Sequence, residues 1–384
     1  MKERIFLSSP HMSDEGYEMK YIKEAFDTNW IAPLGENVNK FEEEICSVTG
    51  AKDAAALSAG TAALHLGLKT LGVGKGDLVF CQSLTFSASA NPIIYEGAVP
   101  VFIDSEEDTW NMSPIALKEA FRKYEKIGAK PKAVIVVHLY GISAKIDEII
   151  EICGEYGVPV LEDAAESLGT VYKGKMTGTF GTCSVLSFNG NKIITSSGGG
   201  MLLFNSDDAK KQAEKARFWA TQAREPERFY HHRELGYNYR MSNIVAGIGR
   251  GQLKVLNERV SKKREIYRYY ERAFKEINDI KMMPIHDECQ YCNCWLSSLI
   301  LSEECAVTPL DIQLVLEKEN IEARHIWKPM HMQPFYEKYD YIDNRNTAKK
   351  IFERGVCLPS DTKMTEKDLD RVCSIIKKQF FQNR

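Results

Sequence analysis

The stretch SFNGNKIITSSGGGM, residues 187–201, sets one lysine, Lys192, among asparagines, serines and glycines. A solvated lysine needs no such setting. A lysine that must bond covalently to something bulky does, because small neighbours let the backbone come close. Three other stretches carry groups that suit the same chemistry. SAGTAALHL (58–66) is a small-residue turn opening a helix, whose unpaired N–H groups and positive dipole end suit a phosphate at Gly60 and Thr61. LEDAAES (161–167) ends an apolar run on Asp163, a carboxylate that must be paired or face a cleft. QSLTFSAS (82–89) sets Phe86 beside small polar residues. Taken singly, each also reads as ordinary structure: a capped helix, a strand-end cap, a core aromatic. Brought to one sheet edge, they would supply what pyridoxal phosphate needs. Lys192 would form the Schiff base and Asp163 would pair with the pyridinium nitrogen. Gly60, Thr61 and Ser187 would hold the phosphate, Phe86 would cover the ring, and residues 196–200 would let the backbone approach.

For these groups to meet, one sheet must carry them. Between about Ala54 and Phe204, short apolar runs alternate with amphipathic segments. The runs are DLVF before Cys81, VPVF (99–102), AVIVV (133–137), VPVLED (158–163), CSVLSF (183–188) and MLLF (201–204). TAALHLGLKTL and SAKIDEIIEICGEYG have the helical period. This alternation predicts an α/β fold with a mostly parallel sheet, which binds ligands beyond the carboxyl ends of its strands. After Ser242 one long helical pattern runs to about Ile277, and a domain boundary falls inside it. Residues 1–254 are expected to form a large cofactor-binding domain and residues 255–384 a smaller α+β domain. The smaller domain has strand candidates at WLSSLIL and EARHIW, a helix at PLDIQLVLEKEN and a terminal helix from Thr365.

The chain has 384 residues, 44% of them hydrophobic, and a formal net charge of -3. That near balance gives no reason to expect a nucleic-acid or membrane-surface partner. No apolar stretch is long enough to span a bilayer and no secretory leader is apparent, so a cytoplasmic protein with reduced thiols is expected. HDECQYCNCW (286–295) has a C-x-x-C spacing, but no second pair matches it, so no metal is expected. LGVGKGD (71–77) lacks the P-loop spacing and its Ser or Thr, and reads as a helix stop.

An ordered set of motifs spans nearly the whole chain: NWIAPLGENV, SAGTAALHL, TFSASANP, HLYG, EDAAES, SFNGNKIITSSGGGM, TQARE, GYNYRMSN, CWLS, WKPMH and CLPS. It resembles the DegT/DnrJ/EryC1/StrS sugar aminotransferases, which have the type I, aspartate-aminotransferase-like fold of pyridoxal phosphate enzymes. SFNGNKIITSSGGGM and TQARE are similar to stretches in the transaminases that make UDP-4-amino-4,6-dideoxy-N-acetylglucosamine in the bacillosamine pathway. The resemblance implies transfer of an amino group from glutamate to C4 of a nucleotide-linked 4-keto-6-deoxy sugar, in glycan or polysaccharide biosynthesis. A C3-specific enzyme acting on a dTDP- or UDP-3-keto sugar is the alternative. It further implies a homodimer with shared active sites, in which Asn238 reaches the neighbouring subunit's cofactor phosphate. Glu166 is expected near the ring. Ala59 stands where many relatives have serine. For the nucleotide and sugar, Trp30, Arg224, Arg240, Arg324, Lys328 and His331 are candidates.

Overall fold

The computed structural model describes residues 3–381. Residues 1–2 and 382–384, which the expected domain limits include, lie outside the described residues. The first half of the chain supplies β1 (Asp53–Leu57), β2 (Leu78–Gln82), β3 (Val99–Ile103), β4 (Ala133–Val137) and β5 (Val160–Asp163). A hairpin of β6 (Val171–Tyr172) and β7 (Lys175–Met176) precedes β8 (Cys183–Ser187) and β9 (Gly200–Phe204). Further on come β10 (Ile280–Met282), β11 (Ser298–Leu301), β12 (Arg324–His325), β13 (Tyr341–Ile342) and β14 (Gly355–Cys357).

The main sheet has the order β1-β9-β8-β5-β4-β2-β3-β13. Only β9 runs against its neighbours, so β1, β8, β5, β4, β2, β3 and β13 all point the same way. The mostly parallel sheet expected from the sequence is present, and each of the six apolar runs is one of its strands. β4 reads AVIVV because both its faces are covered. Helices Gly60–Thr70, Asn91–Tyr95 and Ala209–Ala220 bury one face of the sheet. Pro114–Lys126 and Ile146–Glu155 bury the other. β1 was not legible as a strand, since its three central residues are alanines. It forms because Ala54 to Leu57 pair with β9 and are fully buried on both faces, Ala54 and Ala56 toward the helix Glu36–Thr49, Ala55 and Leu57 toward Gly60–Thr70 and Ala209–Ala220.

The long helical pattern after Ser242 is two helices, Asn243–Leu253 and Leu256–Phe274. The chain tightens at the break: Lys254 and Val255 donate to carbonyls only three residues back, and Val255 leaves the helical region (φ -106, ψ 10). The second helix covers an antiparallel sheet, β10-β11-β14-β12, together with Pro309–Lys318 and Glu366–Phe381. Two short segments cross between the layers. β13 adds in parallel to the β3 edge of the main sheet, and Ile5 bridges Ile321. Among the described residues no helix is long and apolar enough to cross a membrane.

Candidate active site

The shared direction of the strands places the carboxyl ends of β1, β2, β4, β5 and β8 at one edge, and a cavity of about 1090 Å³ opens there. It is lined by Gly60, Thr61, Phe86, Asp163, Glu166, Ser187 and Lys192, the groups that sequence reasoning assembled. Asp163 ends β5. Strand alternation separates it from Glu162, whose carboxylate turns the other way and accepts the N–H groups of Gly178, Phe180 and Gly181. Asp163 is 5% exposed and accepts from Ser89 Oγ at 2.6 Å and the Ala165 N–H at 3.2 Å. Thr85 Oγ1 stands 2.7 Å from that serine hydroxyl. Among the described residues no cation lies within ion-pair distance of Asp163. A buried carboxylate with hydrogen bonds but no counter-charge suits a protonated ring nitrogen.

The helix Gly60–Thr70 starts on Ala59, which is extended and gives no side-chain cap, so the first N–H groups stay free for a ligand. Close packing shapes this cradle. A Cβ on Gly60 would come 3.1 Å from Ser187 Cβ, and one on Gly200 would meet the Ala59 carbonyl at 2.4 Å. Small residues are required there, as the triple glycine suggested. The cavity therefore fits pyridoxal phosphate at both ends, ring nitrogen and phosphate.

Lys192 Nζ lies 3.4 Å from Glu166 Oε1 and 4.3 Å from the centre of the Trp295 ring. Glu166 is 4% exposed and accepts the Tyr140 N–H at 2.7 Å. Burial raises its pKa to about 7, against the opposing pull of the Lys192 charge. It can therefore exchange a proton near neutral pH. Phe86 is half exposed, its ring 5.4 Å from that of Trp327. Ser89, Trp295 and Trp327 were not singled out from the sequence. Ser89 lay inside a quoted motif, but serine beside alanine carries no signal of its own. Trp295 and Trp327 stood inside CWLS and WKPMH, but they come from the second sheet layer, and only the tertiary fold brings them here.

The substrate candidates divide. Arg324 lines the cavity mouth, two-thirds exposed and paired with Glu322 at 2.6 Å. Arg240 and His331, candidates for the nucleotide and sugar, lie outside the cavity lining. Arg240 is 6% exposed, its charge engaged by Glu42 at 2.7 Å and the Ala56 carbonyl at 3.0 Å. His331 stacks on Tyr341 and bonds Ser83 through Nδ1, and burial lowers its pKa to about 4, so it carries no charge at neutral pH. Lys328 is outside the cavity lining. Trp30 and Arg224 are exposed and also lie outside it. Asn238 is exposed because GYNYR runs extended beside β1: Tyr237 and Tyr239 turn inward onto His65, leaving Asn238 outward. In the C-x-x-C stretch the turn sets the Cα atoms of Cys289 and Cys292 6.0 Å apart.

The profile of the DegT/DnrJ/EryC1/StrS aminotransferase family matches residues 13–377. EpsN of Bacillus subtilis, whose name places it among pyridoxal phosphate-dependent aminotransferases, is 54% identical, covering 98% of this chain and 96% of its own. GDP-perosamine synthase of Caulobacter vibrioides is 35% identical over 97% of both chains. The crystal structure of a DegT DnrJ EryC1 StrS aminotransferase from Brucella abortus superposes with a TM-score of 0.87, at 27% identity and 95% coverage of each chain.

Proposed function

This chain belongs to the DegT/DnrJ/EryC1/StrS aminotransferase family and is a pyridoxal phosphate-dependent sugar aminotransferase, and from that premise we propose that it moves the amino group of glutamate to C4 of UDP-4-keto-6-deoxy-N-acetylglucosamine. The observation that carries the catalytic part of this reading is the convergence of Lys192, Asp163 and Glu166 on one cavity. Its size supports a large substrate: about 1090 Å³ leaves room beyond a cofactor for a nucleotide-linked sugar. The choice of UDP and C4 rests on the likeness of SFNGNKIITSSGGGM and TQARE to the bacillosamine-pathway transaminases. The 35% likeness to GDP-perosamine synthase supports a nucleotide-linked sugar as the acceptor.

Bound pyridoxal phosphate supplies an electron sink that makes the carbon beside the amine acidic. The rest falls to side chains. Asp163 would keep the ring nitrogen protonated, and Ser89 and the Ala165 N–H hold Asp163 in orientation. Gly60, Thr61 and Ser187 would hold the phosphate, and Phe86 would cover the ring. Lys192 would bind the cofactor and move a proton at the donor's α-carbon, and Glu166, 3.4 Å from its amine, would take up or return a proton as that amine changes charge. In the second half the same groups would serve the keto sugar. We propose a cytoplasmic homodimer with shared sites. In it the exposed Trp30, Arg224 and Asn238 serve the neighbouring subunit's cavity, and Arg324 meets an anionic part of the substrate at the mouth.

The test is a product assay with UDP-4-keto-6-deoxy-N-acetylglucosamine and glutamate, the amine position being read by NMR. The expected result is an amine at C4 and its absence with Lys192→Ala. An amine at C3, or transfer only to a dTDP-sugar, overturns the choice of substrate. Full activity of Lys192→Ala overturns the mechanism.

A further inference from the structure

The carbonyl just before the reactive lysine is held in an unusual way. Asn191 O accepts two side-chain hydrogen bonds, from Trp295 Nε1 at 2.6 Å and from Ser8 Oγ at 3.1 Å. The donors come from distant parts of the chain. Behind Ser8 stands Lys263, 2% exposed, whose Nζ donates to the serine hydroxyl at 2.9 Å. A buried lysine with no part in the proposed chemistry needs a reason. The relay from Lys263 through Ser8 to Asn191 supplies one.

Trp295 is equally well anchored. Its N–H donates to Asn293 Oδ1 at 2.9 Å, and Asn293 Nδ2 donates to the carbonyls of Glu166 and Leu168. Cys294, between them, is held at φ 51, a left-handed conformation that costs a residue with a Cβ. The strain sits one residue before the ring that faces Lys192. That ring is 2% exposed and presents its face to Lys192 Nζ at 4.3 Å.

We propose that Trp295 and Ser8 are positioning residues for Lys192: by gripping the Asn191 carbonyl, with Lys263 bracing Ser8, they hold the lysine's backbone so that its amine points at the cofactor's aldehyde carbon. This rests on the reading that Lys192 carries the cofactor. The clamp acts on the covalent step and leaves the phosphate and ring-nitrogen contacts alone. It therefore separates two measurements on cofactor-free protein. Covalent capture of pyridoxal phosphate needs Lys192 in place. Binding of pyridoxamine phosphate, which has no aldehyde, does not.

The experiment compares Ser8→Ala, Trp295→Phe and the double variant with wild type. Trp295→Phe keeps a ring face and loses the donor. Capture is followed by absorbance after mixing and is mapped by borohydride reduction and peptide mass spectrometry; pyridoxamine phosphate affinity is measured by calorimetry. Each single variant is expected to slow capture about five-fold, the worth of one hydrogen bond. Pyridoxamine phosphate affinity should stay within about two-fold, since no group that holds it has changed. Unchanged capture in the double variant overturns the proposal. So does a parallel loss of both bindings, which would mark a general loosening of the fold. Reduction of wild type that labels a lysine other than Lys192 overturns the reading beneath, and is told apart from either by the peptide map.

Discussion

Glu166 and Lys263 are both buried, and burial displaces both toward their neutral forms near pH 7. Their effects on stability have opposite signs. Glu166 rises from an ordinary 4.5 to about 7, so the folded chain holds the proton more tightly; its stabilising contribution is complete below pH 4.5 and is lost as pH climbs to about 7. Lys263 falls from 10.5 to about 7, so the unfolded chain binds more protons between those values. Stability then rises with pH across that window. Cofactor-free protein should thus show a dip in melting temperature near pH 7 from these two groups. Glu166→Gln should flatten the acid arm, and Lys263→Met the alkaline arm while raising the melting temperature at pH 6. Thermal scans from pH 5 to 10 check this; an alkaline arm unchanged in Lys263→Met refutes the buried, near-neutral lysine. Neither displacement was legible from one sequence. A glutamate in EDAAES and a lysine in SKKREIYRYYER look alike in composition to solvated ones, and only their packing makes them different. Lys192 and Asp163 were legible, because a lone cation among glycines and a charge ending an apolar strand conflict with local rules.

The elements position the site through their ends. Parallel strands deliver Asp163 and Ser187 to the same edge, and the uncapped start of Gly60–Thr70 faces that edge because β1 runs in the same direction as β8. β9 must return against them and start flush with this helix, which leaves no space for a side chain at Gly200. Gly200→Ala would place a Cβ 2.4 Å from the Ala59 carbonyl carbon and oxygen and 2.5 Å from the Gly60 nitrogen, all backbone atoms that cannot swing aside. The helix start must shift, and with it the phosphate cradle. Pyridoxamine phosphate affinity should fall at least about ten-fold, the worth of one or two misdirected hydrogen bonds, and the melting temperature should drop. A titration followed by calorimetry decides it, and wild-type affinity in that variant would remove the cradle from the account. The pattern of strands and helices was readable where β-branched runs alternate with amphipathic ones. It failed at β1, which is built of alanine, and at β13 and β14, whose two and three residues carry no period to detect.

At the scale of the whole molecule, several expected ligands lie on the outside. Trp30 and Asn238 are exposed beyond their own cavity, and exposed apolar side chains accompany them: Ile31, Phe229, Tyr230 and Leu235. Large apolar side chains left in water near expected ligands suit a covered face. A subunit that offers Asn238 to its neighbour's phosphate has this geometry, since the inward tyrosines on either side brace the asparagine as it projects. Shared sites make a prediction that separate sites do not. Lys192→Ala loses its own chemistry but keeps a sound Asn238, and Asn238→Asp keeps Lys192 but sets a negative charge against the neighbour's phosphate. In a mixed dimer one cavity combines both defects and the other has neither. Unfolding and refolding the two inactive variants together should therefore restore activity, to about a quarter of the wild-type value if subunits pair at random, half the dimers being mixed with one sound site each. If every site is built within one chain, the mixture stays as inactive as its parts. Sedimentation of the same samples fixes the fraction of dimer, so that failure to recover activity cannot be blamed on failure to assemble.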